Sequence, residues 1–171
     1  MNDAPVATAL SALPDHAALR VVPACPALDA AAAADASAAM VKLFSQFQRE
    51  GRCQSAAIEV LGDGHLLLLA WLGPALSGCS HDKINHLLQH LGQRHGRRLL
   101  DAPPLVVEVE GVIQHLSHAE FKDLVRQGRL GSHDYAWDSM ASTLGDWRLA
   151  GRRPLAEHWL SPLLQRALSA P

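Results

Sequence analysis

The chain has 171 residues, of which 49% are hydrophobic and 19% charged, and its formal net charge is −2. This length and apolar content suit one globular domain with a real core and exclude a largely disordered chain. The charge excludes a nucleic-acid binder that works through a broad basic surface, and no apolar run nears the roughly 20 residues of a membrane helix.

Residues 1–18 are dominated by Ala, Pro and Ser, lack a basic n-region, and are interrupted by Asp3 and Asp15. They read as a flexible tail and not as a secretory signal. Residues 19–171 read as a single domain. Three cysteines without a framework spacing point to a reducing, cytoplasmic setting.

The apolar run Leu19 to Val22, stopped by Pro23, predicts a strand. From Asp29, a good N-cap, an alanine-rich stretch predicts a helix that ends at Gly51, with Met40, Phe44 and Phe47 on one face and Val41 at its margin. Gln54 to Leu61 and His65 to Trp71 flank Gly62-Asp63-Gly64, which is a hairpin signal. The second run, HLLLLAW, is apolar at both parities, so that strand must be covered on both faces.

Ile84, Leu87, Leu88 and Leu91 keep helical spacing and predict a helix from about His81 to His95, closed by Gly96. Leu105 to Val109 and Val112 to Leu116 predict a second hairpin. Ser117 and Glu120 then make a capping box for a helix reading FKDLVRQ, ended by Gly128. The tail from Gly131 holds Tyr135, Trp137, Trp147 and Trp159 and shows little periodicity before Pro154. From there a terminal helix, bent or broken near Pro162, is expected.

This order predicts an α+β fold: a ferredoxin-like βαββαβ core with an extra strand, a capping-box helix and an aromatic C-terminal tail. On that topology both early helices cover one sheet face and leave the other open. The aromatic tail, or a second copy forming a homodimer through the open face, must cover it. The expected topology also sets the first and third strands side by side and parallel. The loops at Cys25 and at Ser77 to Ser80 would then share one edge.

The stretch SGCSHDK, residues 77–83, carries the candidate site. Two helix N-termini along one edge, with free N–H groups and partial positive charge, would hold a small anion. Gly78 lets the backbone approach, Ser77 and Ser80 supply hydroxyls, and Lys83 supplies a charge. The bland alternative is a helix entrance in which Ser80 is the N-cap, Asp82 complements the dipole and Cys79 is a small buried residue. A helix N-terminus also favours a thiolate, so Cys79 is a candidate nucleophile, with His81 or His65 as its base and Cys25 as a redox partner.

Other chemistries lack their signatures. His86 and His90 have a ligand spacing, but with no HExxH motif or paired CxxC they read as solvated and no metal is expected. His95 reads as a satisfied core residue, and His115 and His118 as structural. No GxxxxGK[ST], GxGxxG or GxSxG motif is present, so no cofactor is expected.

SGCSHDK, EFKDLVRQG and a closing segment built from Trp147, Pro154, Leu155 and Trp159 resemble an uncharacterised family of small bacterial proteins. Its members carry an SGCS-x-DK stretch, an EFK-type helix and a W…PL…W ending. Some are labelled ABC-transporter ATPases, a label that this chain, without a Walker A lysine loop, does not support. The resemblance implies a shared fold and a shared site around Cys79, Asp82 and Lys83. It implies no reaction. It also implies an apolar residue where this chain has His81.

Overall fold

The computed structural model describes residues 9–169 and is a mixed α+β fold with two antiparallel sheets. The first sheet has the order β1-β3-β2, from Ala18–Pro23 (β1), Ser55–Leu61 (β2) and Leu66–Leu72 (β3). Helices α1 (Ala30–Arg49) and α2 (Gly78–His95) cover one of its faces. The second sheet has the order β5-β4-β6-β7, from Leu105–Val109 (β4), Val112–Leu116 (β5), Tyr135–Trp137 (β6) and Arg152–Pro154 (β7). Helices α3 (His118–Arg126) and α5 (Ser161–Leu168) cover its outer face, and the short α4 (Leu144–Ala150) lies between β6 and β7 in the chain.

The result is four layers: helices, sheet, sheet, helices. Strand β3 shows why. Its odd residues Leu67, Leu69 and Trp71 join Phe44, Phe47, Met40, Ile84 and Leu88 under the first helices. Its even residues Leu66, Leu68 and Ala70 face Val106, Ile113, Trp137, Ala141 and Leu144 across the gap between the sheets. All of Leu66 to Ala70 are fully buried, as an apolar strand of both parities requires. Strand β4 repeats the logic, with Val106 facing the first sheet and Leu105, Val107 and Val109 facing Phe121, Val125 and Leu164.

Two expectations need correction: the parallel direction given to β1 and β3, and the place of the fourth strand. Strands β1 and β3 are neighbours but antiparallel, Ala18 opposite Trp71 and Pro23 opposite Leu66. The α1 crossover makes β1 and β2 parallel, and the β2–β3 hairpin then reverses β3. Secondly, β4 does not close the first sheet at the free edge of β1. It pairs with β5 and β6 instead, while the free edge of β1 takes a bridge from Ala18 to Thr143 and a hydrogen bond from Leu19 N–H to Ser142 O.

The face expected to stay open is covered by the tail and the second sheet of the same chain. Within the expected N-terminal tail, residues 1–8 lie outside the described residues. Residues 9–17 are not loose: Leu13 and Ala17 are buried in the inter-sheet core, and Arg148 binds Asp15 and the carbonyls of Leu10 and Leu13. The aromatic tail is also more ordered than its weak periodicity suggests, since it supplies β6, α4 and β7. The terminal helix starts only at Ser161, with Pro162 inside its first turn, where a missing N–H costs nothing.

Candidate functional site

Helix α2 starts one turn earlier than its apolar spacing suggests. Ser77, not Ser80, is the N-cap: its Oγ accepts from Ser80 N–H. Gly78, Cys79 and Asp82 are exposed, as is Lys83, and a side chain at Gly78 would meet nothing within 4 Å. The amides of Gly78 and Cys79 therefore lack intrahelical partners at an exposed helix start, while that of Ser80 is taken by Ser77. Cys79 is exposed and not the small buried residue of the bland alternative.

Ser80 has a different task. It is fully buried, its Oγ lies 3.1 Å from Ser77 Oγ, and it accepts a 2.8 Å hydrogen bond from Nη1 of Arg52. Arg52 comes from the loop after α1, where Gly51 turns the chain with φ 71°. Its guanidinium also meets Glu50, Nε to Oε2 at 2.6 Å, and stands over the Phe47 ring. The hydrogen bond from Gln46, and then Arg52 and Lys83 nearby, hold the Glu50 carboxyl below its usual range. The amino end of α2 thus carries Arg52 and Lys83 beside Glu50 and Asp82. Arg52 and Glu50 were missed in the sequence because residues that flank a helix stop carry no motif.

The remaining expected partners lie elsewhere. Cys25 forms a β-bridge with Arg98, just past the C-terminal end of α2. Cys79 sits in the first turn of that helix, so its 18 residues separate the two thiols by about 27 Å of helix. The shared edge and the redox pair are both removed, and the antiparallel β1–β3 register is the reason. His81 and Trp71 pack edge to face, with centroids 6.3 Å apart. His65 precedes β3 at the opposite end of the sheet and pairs with His115. Neither base is brought to Cys79.

His86 and His90 are exposed on α2, and no three His, Cys, Asp or Glu side chains converge on a metal position among the described residues. His95 is half-buried and satisfied by Asp35 at 2.7 Å. His118 is exposed in the first turn of α3, behind the capping box of Ser117 and Glu120. Trp137 and Trp147 pack together in the inter-sheet core, which is the anchoring role, while Trp159 is 46% exposed and donates to Asp138.

A second polar region went unrecognised in the sequence. A cleft of about 400 Å³ opens where the β2–β3 turn meets the second sheet, lined by Asp63, His65, Glu108, Val112, Ile113 and Trp137. At its floor Glu108 accepts from Arg152 Nε and Nη2, both at 2.7 Å, and from Trp137 Nε1 at 3.0 Å. Residues so far apart in sequence show no spacing that would announce them.

No helix among the described residues is long and apolar enough to cross a membrane. Comparisons with protein-family models, with curated proteins and with solved structures find no match to this chain.

Proposed function

We propose that this chain is a non-catalytic binding protein of a bacterial cytoplasm that holds a small anion, a phosphate or carboxylate, at the amino end of α2. The observation that carries the reading is the Arg52–Ser80 hydrogen bond, which fixes a guanidinium beside exposed first-turn amides at Gly78 and Cys79. Lys83 adds a second cation, and the absent side chain of Gly78 leaves room for the ligand. Glu50 and Asp82 limit the affinity, so binding is expected in the millimolar range. The likeness to SGCS-x-DK proteins supports placing the site here.

The test is an amide-resolved titration with inorganic phosphate and with acetate. Shifts at Gly78, Cys79 and Ser80 that saturate, and that Arg52→Gln weakens about tenfold, or about 1.4 kcal/mol, support the reading. Amides that stay still at millimolar anion end it.

A thiol-dependent enzyme is the rival reading, favoured by the exposure of Cys79 in the first turn of a helix. It requires a base, and His65 is paired with His115 while His81 packs against Trp71 with no hydrogen bond to Cys79. Titration of Cys79 by alkylation rate separates the two. A thiol that reacts no faster than a free cysteine leaves only the binding reading.

A further inference from the structure

His65 and His115 come from different sheets and meet at one end of the inter-sheet cleft. His65 Nδ1 lies 3.0 Å from His115 Nε2. The ring centroids are 5.2 Å apart and the planes differ by 25°. The difference between those two distances is the depth of two half-rings. The nitrogens therefore lie close to the line joining the rings, and the contact is end-to-end, not face over face. This is the geometry of one N–H···N hydrogen bond with a single proton between two neutral imidazoles.

Both rings are anchored. The backbone of His65 accepts from Ala24 N–H and donates to Gly62 O, and His115 sits in β5 opposite Val106. His115 Nδ1 is buried, and among the described residues the Pro103 backbone is the one other hydrogen-bonding group that acts on the ring.

We propose that the His65–His115 contact is an acid-sensitive clasp between the two sheets, closed while the pair holds one bridging proton and released when both facing nitrogens are protonated. A first added proton goes to the outer nitrogen of the donor ring and leaves an imidazolium–imidazole pair with its N–H···N bond intact. A second leaves two donors facing each other, two like charges and no acceptor. The surroundings favour the uncharged pair. Burial, the His65 ring and Arg98 push His115 down to about 4, with only the Pro103 backbone acting the other way. Burial also lowers His65, against the attraction of Asp63. Across the cleft, Glu108 is neutralised by Arg152. Release would separate the Gly62–His65 turn from the Gly111–His115 segment and widen the cleft that Trp137 lines.

The experiment is a pH titration of the whole chain, following the histidine ring carbons and the Trp137 indole N–H by NMR, with far-UV circular dichroism to mark global unfolding. His65→Gln keeps a donor toward His115 but cannot take the second charge. The expected result is that both rings titrate well below the ordinary histidine value and the Trp137 signal moves with them while the fold persists. In His65→Gln that movement should shift by more than a tenfold change in proton concentration. Rings that titrate normally, a Trp137 signal that is still while they titrate or that moves only with global unfolding, or identical movement in the variant would each overturn the clasp.

Discussion

Nη1 of Arg52 lies 2.8 Å from Oγ of Ser80, a side chain with no solvent exposure, so the loop that ends α1 is pinned to the first turn of α2. That contact makes the two serines of the motif unequal. Ser80→Ala leaves part of the guanidinium without its acceptor and should cost about 1–3 kcal/mol in urea unfolding. Ser77→Ala removes the N-cap and should cost about 1 kcal/mol, whereas Ser77→Gly should cost only a few tenths. Equal losses for Ala and Gly at Ser77 would mean that the cap hydroxyl contributes nothing.

The three thiols should separate cleanly by accessibility. Cys79 is exposed, Cys25 is half-buried beside Arg98, and Cys53 is 3% exposed under the first helices, where burial pushes its thiol up. Maleimide labelling followed by mass spectrometry should modify Cys79 first and leave Cys53 untouched until the protein unfolds. Labelled Cys79 should also block the phosphate-induced shifts, since the adduct occupies the space over the first-turn amides. Early labelling of Cys53 would contradict the packing of α1 on β3.

Much of this fold was legible because each element carries its own local signal. Asp29 caps α1 through Ala32 N–H, Ser117 and Glu120 complete their capping box, and the hairpin turns fall where the glycines stand. The doubled apolar parity of β3 announced a covered second face, and the tail and second sheet cover it. What local signals do not carry is strand direction and pairing. The order of β1, α1, β2 and β3 is compatible with the observed sheet, but assigning β1 and β3 the wrong relative direction moved Cys25 to the wrong end of α2. The three-residue strands β6 and β7 are too short to show a period, and α4 too short to show an apolar stripe. At the site, Ser77 to Lys83 were identifiable as a helix entrance. Arg52 was not, because its role comes from α1 and α2 lying side by side.

Gly64 and Gly51 both have positive φ, 90° and 71°, and their replacement by alanine should differ sharply. A Cβ at Gly64 would collide with the backbone carbonyl oxygen of Leu28 and sit 3.0 Å from Leu28 C and N. Those atoms are fixed, since Leu28 N–H donates to Gly64 O at 2.9 Å. Gly64→Ala should cost more than about 3 kcal/mol, through steric overlap added to backbone strain. At Gly51 nothing lies within 4 Å, so only the left-handed conformation is penalised, by about 1–2 kcal/mol. Thermal unfolding of the two variants checks the ranking.

Glu108 and Arg152 predict an acid limb distinct from that of the histidines. The Arg152 hydrogen bonds, then its charge and the Trp137 N–H, hold the Glu108 carboxyl below its usual range against the cost of burial. Arg152 is correspondingly raised by the same partner, and its guanidinium lies 3.8 Å from the centre of the Tyr135 ring. A depressed carboxyl contributes stability in full above its unfolded value of about 4.5 and loses it as pH falls through the folded value. The depressed histidines His65, His115 and His158 act over a higher range. There the unfolded chain takes protons first, so stability falls as pH drops below about 6.5. Because Arg152 is 43% exposed, Glu108→Gln should cost only about 1–2 kcal/mol at neutral pH. It should flatten the urea-midpoint curve below about pH 4.5 and leave the slope between there and pH 6.5 unchanged. Arg152→Lys should not preserve the wild-type curve, since an ammonium cannot give two parallel hydrogen bonds and stack on Tyr135 at once. A Glu108→Gln curve that changes across the histidine range, and not below it, would show that the carboxyl is coupled to the His65–His115 pair and not held by Arg152.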